Sequence, residues 1–184
     1  VELGFTSIMY DGSKLPDAQN RETTAEITAF AHEHGVSVEA ELGEVGGKNG
    51  VHDPSARTNP EDAAKFVADT GVDLLAVAVG SSHAMATREA VLDNQLIAAI
   101  HELVPVPLVL HGSSGVPDEG MVAAIQAGMT KINVSTHLNV VFTQGVRQIL
   151  DENPKIVDPR KYVGPATHLV QEEVERLMRL YAQA

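Results

Sequence analysis

Leu108-Val109-Leu110-His111-Gly112-Ser113-Ser114-Gly115-Val116-Pro117-Asp118 passes from an apolar strand, through one histidine, into a loop of small residues and then a helix start. The strand, Pro107–His111, is a short continuous apolar run, as expected where a parallel strand is covered on both sides. The helix it feeds spans Asp118–Ala127. The same order of strand, polar loop and helix repeats outward in both directions. Upstream, Asp73–Val79 leads into Gly80-Ser81-Ser82-His83 and the helix Asn94–Leu103. Before it, Val36–Leu42 carries Glu39 and Glu41, ends at Gly43 and precedes the helix Pro60–Thr70. Phe5–Tyr10 ends at Asp11-Gly12-Ser13, before the helix Arg21–His34. Downstream, Lys131–Val134 holds Asn133 and ends at Ser135-Thr136. Helices over Leu138–Glu152 and Pro165–Ala182 follow, joined by a polar, Pro-rich connection. Units of about 30 residues in strict alternation predict a parallel sheet with helices outside it. An open doubly wound sheet and part of a (β/α)8 barrel both fit. An open sheet gathers its ligand residues at one switch point, whereas a barrel turns every strand end to one mouth. Polar residues end all five strands here, which favours the barrel.

Punctuation supports these elements. Asn59-Pro60-Glu61-Asp62 combines an N-cap, a proline at the first helical position and acids in the first turn. Gly35, Gly71 and Gly128 each close a helix before a strand. Val1-Glu2-Leu3-Gly4 reads as the last turn of a helix with a glycine cap, so a preceding segment is expected. No internal repeat or domain boundary stands out.

Composition narrows the function. The chain has 184 residues, with 13 basic and 25 acidic side chains and a net charge of −12. That argues against a nucleic-acid or anionic-membrane surface. A phosphorylated small molecule remains compatible, because a local nest of N–H groups binds phosphate in an acidic protein. Without cysteine there is no disulfide framework or thiolate metal site. No run is long and apolar enough to span a bilayer. The expectation is a soluble, cytoplasmic protein.

The strand ends suggest chemistry. His83 and His111 each follow an apolar strand in a Gly/Ser loop, where two imidazoles can converge on one metal. Each also reads as a loop histidine capping backbone. His32, His34, His101, His137 and His168 lack this placement and read mostly as surface residues, while His52 lies in a long loop. Glu39 and Glu41 alternate on one strand and face the same side. Buried together they need a metal or a cation. Gly112-Ser113-Ser114-Gly115 before a helix suits a phosphate, as does the strand end at Asn133, Ser135 and Thr136. The loop from Gly43 to Asn59 reads as a mobile lid or a simple insertion. Lys131 starts its predicted strand, away from the mouth, and nothing marks Lys14 as a nucleophile. A Schiff-base mechanism is therefore not expected.

Six segments resemble the class II, metal-dependent fructose-bisphosphate or related ketose-bisphosphate aldolases. They are Gly4–Ser13, Val38–Gly43 with Gly46-Gly47, Ala76–His83, Leu108–Gly115, Lys131–Thr136 and Asp158-Pro159-Arg160. The resemblance implies a TIM (β/α)8 barrel, of which about the last five βα units are present. Residues 1–184 would be the C-terminal portion of a single barrel domain, with the N-terminal units missing. It also implies a lyase that reversibly cleaves a ketose 1,6-bisphosphate, fructose-bisphosphate first, to dihydroxyacetone phosphate and an aldehyde phosphate. By this resemblance His83 and His111 are two ligands of a catalytic Zn2+. Glu41 and Asp11 stand near a second metal position. Gly112, Ser114, Ser135 and Thr136 form the phosphate pocket, and Asn133 holds the enediolate. A monovalent cation, Na+ or K+, accompanies the phosphate site, and the enzyme is a homodimer or homotetramer. Arg160 lies in a segment that reaches a neighbouring active site in some family members.

The sequence also departs from the family pattern. The third zinc histidine and the acid/base aspartate belong to an earlier strand, so these 184 residues alone are expected to be inactive. Lys48 and Asn49 replace acids of the mobile loop, and no proton-shuttle role transfers to them. Ala84 follows His83 where glycine is usual, and a family lysine nearby is unmatched, with Arg88 close. A tagatose-bisphosphate-type or other phosphosugar lyase, and a non-catalytic phosphate-binding barrel fragment, remain alternatives. The stripe Val174, Leu177, Met178 and Tyr181 on the last helix packs on its own barrel or forms a subunit contact.

Overall fold

A computed structural model describes residues 1–43, 57–83, 87–182 and 184. Its strands are β1 (Ser7–Tyr10), β2 (Ser37–Leu42), β3 (Leu74–Val77), β4 (Leu108–Leu110) and β5 (Met129–Ile132). The helices are α1 (Asp17–Glu33), α2 (Pro60–Thr70), α3 (Asn94–Leu103), α4 (Asp118–Gln126), α5 (Thr136–Glu152) and α6 (Arg160–Ala182). The five strands form one sheet in the order β1-β2-β3-β4-β5, with every pairing parallel. Spatial order therefore follows chain order throughout. A doubly wound sheet reverses its strand order at a switch point, and this sheet does not. It winds in one direction, as a (β/α)8 barrel does.

The two faces of the sheet differ in kind. Val38, Ala40, Leu75, Val77, Leu108 and Leu110 join the apolar core with Phe66, Ile97, Ile100 and Met121 of the helices. The alternate positions of β2 carry Glu39 and Glu41, which are 3% and 2% exposed. Along the register Met9 pairs with Glu39, Glu41 with Ala76, Ala76 with Val109, and Val109 with Lys131. One face is thus the helix-covered core and the other carries charged groups.

The sheet is also curved. The Lys131 Nζ lies 2.5 Å from a carboxylate oxygen of Glu39, although β5 and β2 are separated by β3 and β4. Three strand spacings in a flat sheet would put them roughly 14 Å apart. The register shift at Leu108/Val109 adds a local bend next to β5.

Local chemistry sets the element ends. Asn59 accepts hydrogen bonds from the backbone N–H groups of Glu61 and Asp62, with Pro60 beginning α2. Gly71 ends α2 at φ +67°, a left-handed conformation that suits glycine. Several predicted boundaries move. Helix α1 starts earlier, at Asp17, after Pro16. Helix α6 starts at Arg160, because the Asp158 carboxylate accepts from the Arg160 N–H, and Pro165 lies inside the helix. Strand β5 begins at Met129, so Lys131 is its third residue. The expectation that Lys131 lies away from the site is therefore corrected. On α6, Leu177 is buried and Tyr181 packs against the core, whereas Met178 is 67% exposed. The predicted stripe thus divides between packing and exposure. No helix among the described residues is long and apolar enough to cross a membrane.

Candidate active site

The loops after β3, β4 and β5 meet at one end of the sheet. His83 follows β3, and His111 follows β4 directly. Their rings lie edge to face with centroids 5.7 Å apart. Ser81 Oγ donates to the His111 carbonyl at 2.6 Å, which ties the two strand ends together. Ser113 Oγ donates to the Asn133 carbonyl at 2.6 Å, which ties the end of β4 to that of β5. The Asn133 N–H donates to Leu110 at 3.1 Å. These short serine bonds give the Gly/Ser loops a structural role of their own.

His111 occupies the centre. Its Nε2 lies 2.8 Å from Glu39 Oε1, and its Nδ1 lies 3.0 Å from Glu41 Oε2. The Lys131 ammonium holds the other Glu39 oxygen. Burial alone lowers the His111 pKa, but the hydrogen bonds that its ring N–H groups donate to Glu39 and Glu41 outweigh it and push it up to about 9. Burial pushes Glu39 up, yet its bonds to His111 and Lys131 leave it below the usual carboxylate range. Such a buried group is a weak contributor to stability, because desolvation offsets the attraction. Perturbed ionisable groups in a cleft are instead a mark of function.

Glu41, His83 and His111 each offer one donor atom, and these atoms lie within 4.8 Å of one another. Two imidazoles and a carboxylate form a donor set that suits zinc, and the residues present therefore fit the metal. Beside them a cavity of about 430 Å³ is lined by His83, His111, Gly112, Ser113, Ser114, Ile132, Asn133, Val134, Ser135 and Thr136. The start of α5, at Thr136, opens onto it, and a helix N-terminus favours an anion. The Ser114 hydroxyl accepts from the His137 N–H at 3.0 Å.

The chain belongs to the class-II fructose-bisphosphate aldolase family. The sequence model of that family, described as fructose-bisphosphate aldolase class-II, matches residues 1–184. A fructose-bisphosphate aldolase of Geobacillus stearothermophilus is 39% identical over 186 aligned residues, covering 100% of this chain and 65% of that protein. The YdjI aldolase of Escherichia coli K12 superposes with a TM-score of 0.80 at 34% identity, over 97% of this chain and 61% of its own. A putative fructose-1,6-biphosphate aldolase from Coccidioides immitis gives 0.81 at 30% identity, over 96% of this chain and 62% of its own. The chain thus spans somewhat less than two thirds of the length of these relatives. The fold is that of five successive βα units of a TIM-type barrel.

In this family member, the structure gathers most of the residues singled out in the sequence. His83, His111, Gly112, Ser114, Asn133, Ser135 and Thr136 line one cavity, and Glu41 adjoins the histidines. Asp11 is exposed, and its carboxylate accepts from the backbone and hydroxyl of Ser13. Among the described residues it is not in the Glu41 group. Arg160 pairs with Asp158 and is exposed. The Arg88 guanidinium holds the Val116 carbonyl and Asp118. His52, Lys48, Asn49, most of the predicted lid and Ala84 lie outside the described residues. Two groups were missed in the sequence. Lys131 joins Glu39, and His137, read as a surface residue, meets Glu173 at 2.6 Å. Lys131 is two residues before Asn133, on the strand that Asn133 follows, a proximity that would have exposed the first.

Proposed function

We propose that this chain supplies the metal-binding and three-carbon phosphate part of a zinc-dependent aldolase site. The reaction is the reversible aldol cleavage of a ketose 1,6-bisphosphate, fructose-bisphosphate foremost, to dihydroxyacetone phosphate and an aldehyde phosphate. The observation that carries this reading is the adjacency of the Glu41–His83–His111 group to the cavity ending at Ser135 and Thr136. His83 and His111 would hold Zn2+, with Glu41 beside them. Bound there, zinc supplies Lewis-acid polarisation of the substrate ketone.

The chain's own residues do the positioning. Gly112, Ser114, Ser135 and Thr136 take the phosphate end, where small side chains and the α5 N-terminus favour an anion. Held at that end, the substrate presents its carbonyl carbon toward the histidines, and remote binding energy orients the reacting bond. Asn133 lines the same cavity, where its amide can donate to substrate oxygens as negative charge develops. Asp11 enters the proposal only as a further carboxylate for a second metal shared with Glu41. A monovalent cation, Na+ or K+, belongs beside the phosphate. Cytoplasmic location and a homodimer or homotetramer complete the reading, and the reaction is that of the barrel to which these units belong.

Calorimetric titration tests it. Purified protein is expected to take up zinc, and then to bind dihydroxyacetone phosphate. His83→Ala should abolish the first step, and Ser135→Ala should weaken the second roughly tenfold, about 1.4 kcal/mol. Zinc uptake unaffected by His83→Ala, or phosphate binding unaffected by Ser135→Ala, would remove the assignment concerned.

A further inference from the structure

We infer that Glu39 is a positioning residue for the metal site, holding His111 so that its Nδ1 faces the metal, with Lys131 keeping Glu39 in place. This inference rests on the metal reading above and concerns residues outside the proposed ligand set. The geometry separates the two sides of the His111 ring. Nδ1 faces Glu41, which groups with His83, whereas Nε2 faces Glu39. Glu39 does not belong to the grouped donors. Both its oxygens are engaged, Oε1 by His111 and Oε2 by Lys131.

A neutral imidazole has one N–H and one lone pair. Metal binding releases the Nδ1 proton, and donating Nε2–H to Glu39 then leaves the Nδ1 lone pair pointing at the site. A carboxylate behind a ligating histidine fixes its tautomer, holds the ring plane and strengthens it as a donor. Glu39 is positioned for this by the alternation of β2, which places it on the same face as Glu41 but one step nearer the strand start. Its side chain is 4% exposed, so an unpaired negative charge there would be costly. Lys131 supplies the countercharge from β5, and its half-exposed side chain keeps its own desolvation small. The link from β5 to β2 spans the sheet beneath the site.

Zinc affinity measured by competition with a chelating dye tests the inference on the purified protein. Glu39→Gln is expected to weaken zinc roughly 10- to 100-fold. Lys131→Met should weaken it in the same direction by a smaller factor. A second readout is proton NMR of the zinc-loaded protein. Wild type should show a slowly exchanging ring N–H of His111, and Glu39→Gln should shift it or speed its exchange. A wild-type protein that binds no zinc overturns the metal reading and this inference with it. Wild type that binds zinc, with Glu39→Gln equal in affinity and in the His111 signal, overturns this inference alone. If Glu39→Gln does not fold, Lys131→Met decides: unchanged affinity and an unchanged ring signal overturn the role of the pair.

Discussion

At Gly112 the backbone takes φ +65°, and a Cβ would lie 2.6 Å from the backbone carbon and oxygen of Ser82. Both facts come from one requirement. The loop after β4 must pass close to the loop after β3 for His111 and His83 to meet. A side chain there is strained by its conformation and blocked by backbone that cannot swing aside. Gly112→Ala is therefore expected to lower stability by at least about 1–3 kcal/mol, the usual cost of a non-glycine residue held in such a region. Thermal and denaturant unfolding of the variant measure this. An unchanged melting temperature would show that the two loops separate freely.

At the scale of elements, α6 clamps the helices that follow β4 and β5. Arg176 on α6 reaches Asp118 at the start of α4, at 2.5 Å, and Glu173 on its own helix. Glu173 also receives His137 from the first turn of α5. The Arg176 hydrogen bond chiefly, with help from His137 and against the effect of burial, brings Glu173 from its ordinary 4.5 down to about 2. A depressed carboxyl pKa adds stability above the unfolded value, and that stability disappears as pH falls through the folded one. Glu173→Gln should therefore be less stable than wild type above about pH 4.5, with the gap closing toward pH 2. Urea midpoints across that range would show the gap narrowing. A constant gap would mean that the substitution acts through packing and not through charge. His137, the α5 end of this clamp, directly follows Thr136, which lines the cavity.

For the whole molecule, the site exists because the sheet winds one way and curves. Glu41 comes from β2, His83 from the end of β3 and His111 from the end of β4, so no single element contains the donor set. A ligand that joins separate strands binds the folded state alone and stabilises it by mass action. Free zinc at roughly 100 times its dissociation constant should add about 2.7 kcal/mol, and a chelator should remove that increment. Melting curves with zinc, with chelator and after zinc is restored test the expectation. Equal melting temperatures would separate the fold from metal binding.

The sequence by itself determined the order of strands and helices, because continuous apolar runs, N-caps and closing glycines are local signals. Pro60–Thr70 and Asn94–Leu103 were legible to the residue for that reason. It also determined that His83, His111, Asn133, Ser135 and Thr136 share one end of the sheet, since strand direction alone puts residues that end parallel strands on the same side. Alternation placed Glu39 and Glu41 on one face. Only the tertiary structure decided what each meets there. Glu41 joins the histidines, whereas Glu39 bridges His111 and a lysine three strands away. Curvature brings β2 and β5 within reach, and curvature accumulates over the whole sheet without a signature in any segment. The same holds for His137 and Glu173, which are joined by the packing of α5 on α6. Periodicity tells which way a side chain points, and only the assembled layers tell what lies opposite.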